Sequence, residues 1–394
     1  MTVRNGREFL SIPGPTNVPD EVLSAMHRPA VDIYSGDLPG MTYSCLSDLK
    51  KLFKTSGETF IYAANGHGAW EAALTNVLSR EDRVLVLESG RFALGWGEMG
   101  SVLGLDIEIL PGSWRHAVDP DALTTRLKVD TDAQIKAILV VQIDTATGVA
   151  NDISAIRAAI DAAGHPALLM VDAIASLACT PYEMDDWGVD VTVAGCQKGL
   201  MTPPGLSFVA AGEKALAIHG SGDLRSHYWD WTFRMGDQHY MKYCGTPPEH
   251  LIFGLRKAMD MILEEGLEAV FERHRLLAGA VQAAAQVWAA EGSLELNVMN
   301  EKHRAASVTT VLMSDPKPLL DYCRERCGVV VGIGIGEMEG KSFRVAHMGH
   351  VNAPMVLGTL GVIDMGLAAL NIPHGKGGCQ AAIDFLATAV HPPS

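Results

Sequence analysis

The chain reads as an α/β protein with a mostly parallel central sheet in a large domain, followed by a smaller C-terminal α+β domain. Three observations predict this. Short apolar, β-branched runs recur along the first two thirds of the chain, and helical stretches separate them. Beyond Pro248 the texture changes to long helical patterns with sparser strands. Apolar strands alternating with helices indicate a sheet covered on both faces.

Taken in order, residues 1–20 hold Pro13, Pro15 and Pro19, too much proline for a helix or a central strand, and read as an extended arm. A large domain spans 21–265. In it, 46–53 reads as an amphipathic helix, 59–62 as a strand and 68–78 as a helix. Strands follow at 83–87, 107–110, 135–142, 167–171, 189–194 and 206–211, with a helix over 153–163. A small domain spans 266–394. The stretches 249–266 and 267–290 are helical, strands come at 307–313, 328–332 and 343–345, and a helix pair ends the chain.

Composition excludes several classes of function. A formal net charge of −15 and a pI near 5.3 argue against a nucleic-acid or anionic-membrane surface. No apolar run approaches the roughly 18 residues of a membrane span, and the N-terminus lacks a signal-peptide core. Seven cysteines without framework spacing fit reduced thiols in the cytoplasm. Cys323 and Cys327 lie one helical turn apart with no second pair to complete a metal site, and His347 and His350 also lack partners, so no metal is expected.

Two residues suggest chemistry. Lys198 follows the apolar run at 189–194, and Asp172 follows the run at 167–171. In parallel sheets ligands bind at the carboxyl ends of strands, and a desolvated lysine there can lose its proton and attack a carbonyl. An acid and a lysine on neighbouring strand ends suit pyridoxal 5′-phosphate (PLP): the lysine binds the aldehyde, and the acid keeps the pyridine nitrogen protonated. Taken alone, Asp172 reads equally well as a helix cap and Lys198 as a solvated surface lysine.

Three further strand ends add to the case. Asn65-Gly66-His67 precedes a helix, where backbone N–H groups and the helix terminus favour an anion such as phosphate; a tight turn is the plain alternative. Phe92 could stack on a pyridine ring or simply pack in the core. Thr145 could bond the cofactor's phenolic oxygen or cap a turn.

With these motifs in place, the chain resembles the class V aminotransferases, of fold type I among PLP enzymes, and within them the serine–glyoxylate and alanine–glyoxylate group. The likeness runs through Pro13-Gly14-Pro15-Thr16-Asn17, Asn65-Gly66-His67, Thr145-Ala146-Thr147-Gly148, Val171-Asp172, Gln197-Lys198-Gly199 and Phe343-Arg344-Val345. The resemblance implies that Lys198 holds PLP and shuttles a proton, and that Asp172 pairs with the ring nitrogen. Phe92 takes the stacking position; Asn65, Gly66, His67, Thr145 and Gln197 surround the cofactor. It further implies that Arg344 clamps the substrate carboxylate, a job suited to a bidentate, permanently charged guanidinium, with Gly14 and Thr145 beside the substrate. Tyr243 and Thr246 match a Tyr-x-x-Thr segment that completes the neighbouring subunit's phosphate site, which implies a homodimer with shared active sites.

The implied reaction moves an amino group from a small L-amino acid to glyoxylate, giving glycine and a 2-oxo acid. Aspartate is slightly favoured over serine, because 32–35 and 226–231 depart from the serine–glyoxylate pattern and look closer to the aspartate–glyoxylate branch of the β-hydroxyaspartate route. An aspartate donor needs a second cation, for which Arg91, Arg225 and Arg234 are candidates. Serine–glyoxylate or alanine–glyoxylate transfer is the alternative. A desulfurase needs a nucleophilic cysteine on a mobile loop, whereas Cys323 and Cys327 lie in a helical pattern; a PLP-dependent lyase remains open, and the filled chemical positions count against a non-catalytic cofactor-binding protein. The glycines of 332–336 lack the spacing of a dinucleotide loop and read as a strand with a turn.

Overall fold

The computed structural model describes residues 2–390; the first residue of the arm and the last four of the small domain lie outside them. Seven strands form the larger sheet. Those beginning at Glu58, Ser207, Val191, Leu168, Ile135, Arg83 and Asp106 lie side by side in that order. All point one way except Ser207–Ala211, which runs antiparallel to both its neighbours.

The central strands are buried on both faces, and side chains alternate between two cores as the pleat requires. Leu169 and Val171 enter one core, with the helices Asp37–Phe53, Ile153–Ala163 and Glu249–Glu265. Leu168 and Met170 enter the other, with the helices Gly66–Val77 and Arg91–Leu103. Asp172 ends its strand on the even-numbered side, under the second pair of helices.

The expected elements are present with ends shifted by a few residues. The 46–53 helix begins earlier, at Asp37, and the 68–78 helix begins at Gly66, where the Asn65 side chain accepts hydrogen bonds from the amides of His67 and Gly68. The 153–163 helix is capped by Asp152 and ended by Gly164 at φ +63°. Helices Asp20–Met26, Arg91–Leu103 and Pro120–Lys128 are additional to the sequence reading.

A second, five-stranded sheet gathers strands from both ends of the chain. Its order is Phe9–Ser11, Val329–Ile333, Ser342–Ala346, Val308–Met313 and Leu294–Leu296. The arm is therefore not merely extended: Phe9, Leu10 and Ser11 pair in parallel with Val329, Val330 and Val331. Its prolines follow the pairing residues, so the arm forms an edge strand without losing ladder bonds. The glycines of 332–336 close the strand Val329–Ile333 and open a short 3-10 turn.

This arrangement brings the arm's Thr16 against the turn that carries Lys198. The Thr16 amide donates to the Gln197 carbonyl at 3.1 Å, and its hydroxyl donates to the Lys198 carbonyl at 3.0 Å. Leu169 is fully buried between strands that pair through both its neighbours. Leu169→Ala should cost about 2–5 kcal/mol, read as a lower denaturant midpoint with an unchanged far-ultraviolet spectrum.

Candidate active site

The carboxyl ends of the parallel strands open into a cavity of about 270 Å³ whose wall includes Asn65, Phe92, Thr145, Asp172, Gln197 and Lys198. Gly14, Gly66 and His67 also line it. Nine sequence-predicted positions, from six separate stretches of chain, thus meet in one place. Trp70 and Ile174 join them.

Lys198 sits in the turn after Val191–Gly195 and is only 8% exposed. Its Nζ donates to the carbonyl of Pro13 in the arm. Burial, and then the charge of Arg344, pull its pKa down to about 8, against a weaker opposing pull from Asp172. Gly14 must be glycine here: its φ is +105°, and a Cβ would lie 2.6 Å from Lys198 Nζ.

Asp172 ends the neighbouring strand Leu168–Asp172 and is 3% exposed. Its Oδ1 accepts from the Ile174 amide and its Oδ2 from Trp70 Nε1, both at 2.7 Å. Burial pushes its pKa up to about 7 despite these two donors. A buried carboxylate of this kind is stabilised by a cationic partner.

Asn65 acts mainly through its own helix, because its side chain is engaged with the amides of His67 and Gly68. Gly66 is tightly placed: a Cβ there would come within 2.5 Å of Ile174 Cδ1. His67 packs against Trp70 with ring centroids 4.6 Å apart, and burial lowers its pKa, so the ring is held neutral. Phe92 opens the helix Arg91–Leu103. Its amide and that of Ala93 donate to Asp144 Oδ2 at 2.8 and 3.3 Å, while Asp144 Oδ1 accepts from Ala146 at 2.9 Å. One buried carboxylate thereby ties the Phe92 helix to the Thr145 turn.

Arg344 lies in the small sheet and lines an adjoining cavity of about 650 Å³ that shares Gly14 with the first. Its Nε donates to the Ile333 carbonyl at 2.6 Å and its Nη1 to the Thr145 carbonyl at 2.8 Å. Burial pulls its pKa down to about 10. Both partners are neutral, and among the described residues no carboxylate forms an ion pair with it.

Tyr243 and Thr246 lie outside both cavities. Tyr243 is buried with its hydroxyl 2.9 Å from Thr42 Oγ1, and Thr246 is exposed. The three candidate second cations are also away from the cavity walls. Arg91 pairs with Glu98 at 2.9 Å and Arg225 with Asp230. Arg234 donates to the carbonyls of Tyr228, Ile61 and Lys242 beneath the Tyr62 ring.

Sequence reasoning missed Trp70 and Asp144. Trp70 stands three residues after Asn65-Gly66-His67, and the signal was the buried acid itself, which needs a donor. Asp144 stood beside Thr145, where a carboxylate facing a helix start serves as a cap.

The residues present fit PLP: a buried lysine with a lowered pKa, an acid oriented by two N–H donors, and a helix N-terminus, all on one cavity. Comparison with known proteins agrees. Residues 9–336 match the family described as aminotransferase class-V. This chain belongs to the class V aminotransferases. It is 37% identical to a serine–glyoxylate aminotransferase of Methylorubrum extorquens, over 98% of this chain and 97% of that one. It is 36% identical to an L-aspartate–glyoxylate aminotransferase of Paracoccus denitrificans, over 94% of each. The pyridoxamine–pyruvate aminotransferase structure from Mesorhizobium loti superposes with a TM-score of 0.89 at 27% identity, covering 99% of this chain and 100% of that one.

The protein is a PLP-dependent aminotransferase of fold type I. Among the described residues no helix is long and apolar enough to cross a membrane, and no cluster of three or more metal-ligating side chains occurs. The depressed pKa of Lys198 has a measurable consequence, because only the neutral amine attacks the PLP aldehyde. Uptake of PLP by cofactor-free protein, followed as visible absorbance, should rise with pH about a midpoint near 8. A rise confined to the ordinary lysine range would show that the amine is solvated.

Proposed function

We propose that this aminotransferase moves the amino group of a small L-amino acid to glyoxylate, releasing glycine and a 2-oxo acid, with aspartate placed slightly ahead of serine as donor. The observation that carries this reading is Arg344. A buried guanidinium with only carbonyl partners, next to the cavity of Lys198 and Asp172, suits the carboxylate that both amino and oxo acids present. The serine–glyoxylate and aspartate–glyoxylate relatives support glyoxylate as acceptor.

Bound PLP supplies an electron sink for the charge left when the donor loses its Cα proton. The chain's own residues would do the rest. Arg344 holds the substrate carboxylate, and Lys198 Nζ, neutral once free, accepts the Cα proton as general base. Asp172 would hold the cofactor's ring nitrogen by staying ionised, and Thr145 and Phe92 would help to hold the ring. Burial of the site keeps water from competing for these contacts.

The cation distribution gives the serine donor specific support. Among the described residues no arginine lines the deeper cavity, and on the adjoining one Lys317 is paired with Asp321. Beyond Arg344, only the exposed Arg324 is available there for a second carboxylate.

We further infer a homodimer in which Thr246 and Tyr243 complete the phosphate site of the second copy. Thr246 is exposed and so can make such a contact; Tyr243 would have to exchange its bond to Thr42. All seven cysteines are free thiols, which fits a reducing cytoplasm.

The test is a donor panel of aspartate, serine and alanine, each mixed with the PLP-loaded enzyme before glyoxylate is added. The preferred donor should change the visible absorbance in the first half-reaction, and glyoxylate should then restore it with release of glycine. Lys198→Ala is expected to show neither step. If no member of the panel alters the absorbance, or if glyoxylate fails to restore it, the proposed reaction is wrong.

A further inference from the structure

We propose that Trp70 is a positioning residue for transamination, its indole N–H holding the Asp172 carboxylate in the orientation that meets the cofactor's ring nitrogen. The inference rests on Asp172 facing that nitrogen and adds a residue that the sequence reading left without a role.

The geometry is specific. An indole Nε1–H can only donate, so the 2.7 Å contact has one direction, from Trp70 to Asp172 Oδ2. The other oxygen is taken by the Ile174 amide, also at 2.7 Å. With one donor on each oxygen, the carboxylate plane cannot rotate without breaking a bond. The indole is itself immobilised. Trp70 is 1% exposed, stacks on Trp96 at 6.0 Å and 15°, and meets His67 and Phe92 edge-on.

Its position on the helix Gly66–Val77 gives this contact a second meaning. Trp70 follows Gly66 by four residues, so the two share one face about 6 Å apart along the axis. Gly66 belongs to the turn suited to phosphate, and its missing Cβ lets Ile174 approach that turn closely. A single rigid helix would thus set the distance between the phosphate end and the ring-nitrogen end of the cofactor. The Asp172–Ile174 segment is clamped against it at both places.

Electrostatics give the contact its effect. Burial drives Asp172 toward its neutral form, and the Ile174 and Trp70 bonds oppose that drift. The ionisable groups facing Asp172 are Asp144 from beyond the strand Ile135–Val141, Lys198 from the turn after Val191–Gly195, and Tyr182 from the segment between the two inner strands. Asp144 disfavours the carboxylate and Lys198 favours it. Without the indole donor the carboxyl holds its proton to higher pH, and its pairing with a protonated ring weakens.

The test compares Trp70→Phe, Asp172→Asn, the double variant and Trp288→Phe, which removes a buried indole of the small domain that bonds Asp364 and lies outside the site. PLP affinity is measured by titrating cofactor-free protein across pH, and kcat and KM are measured on the loaded enzymes. Trp70→Phe should weaken PLP binding by about tenfold, the size expected of one bond to a charged group. That affinity should rise with pH in two steps, one near 8 set by Lys198 and one near 7 set by Asp172; only the Asp172 step should move upward in Trp70→Phe, and kcat should fall with KM little changed. In the Asp172→Asn background the same substitution should add no further loss, and Trp288→Phe should bind PLP like the wild type.

Additive losses in the double variant would overturn the proposal. So would equal losses in Trp288→Phe, or wild-type affinity and an unmoved Asp172 step in Trp70→Phe. Wild-type uptake of PLP is the control: its absence would sink the cofactor site as a whole, and this proposal with it.

Discussion

The site depends on burying an amine and a carboxylate at the carboxyl ends of two adjacent parallel strands. Neither group would remain there unaided, since removing an isolated charge from water is strongly unfavourable. The fold answers with fixed donors and acceptors. Pro13 O receives the Lys198 amine, while Trp70 and Ile174 donate to Asp172. The residual strain appears as two displaced pKa values, a lysine lowered to about 8 and an aspartate raised to about 7. Groups so displaced are prepared for chemistry, because each is close to changing its protonation state near neutral pH.

Backbone proximity is the second constraint. The arm reaches the lysine only because Gly14 lacks a side chain, and the glycine-rich helix reaches the Asp172 loop only because Gly66 does. The arm is anchored at one end in the small sheet, through Phe9–Ser11, and at the other on the turn carrying Lys198, through Thr16. Arg344 makes a comparable bridge, joining its strand in the small sheet to the Thr145 carbonyl across the cavity mouth. The cavity-lining residues of the two sheets are therefore held in place by hydrogen bonds to backbone carbonyls rather than by surface ion pairs, which contribute little.

Much of this was legible in the chain. Strands with apolar runs on both faces leave a strong imprint, and their ends located Asp172 and Lys198 to within two or three residues of where the ladders stop. Two kinds of element left a weaker imprint. The helix Arg91–Leu103 carries Gly95, Gly97 and Gly100, which lower helix propensity. Gly97 and Gly100 are there because Val86 and Ile107 press against the helix; Cβ atoms on them would come within 2.9 Å of those side chains. The edge strand Phe9–Ser11 is three residues long and finds its partner more than three hundred residues away, a distance local pattern cannot span.

Sequence alone determined the α/β class, the strand ends that carry the chemistry, and a family likeness strong enough to name the cofactor. Period and residue type suffice for these, because burial and backbone geometry act locally. Tertiary structure alone decided which groups hold the reactive pair: the indole of Trp70 on Asp172, the carboxylate of Asp144 on the Phe92 helix, and Arg344 left with carbonyls for partners. Each joins segments distant in the chain, and a hydrogen bond of fixed length and direction exists only once both ends are folded into place.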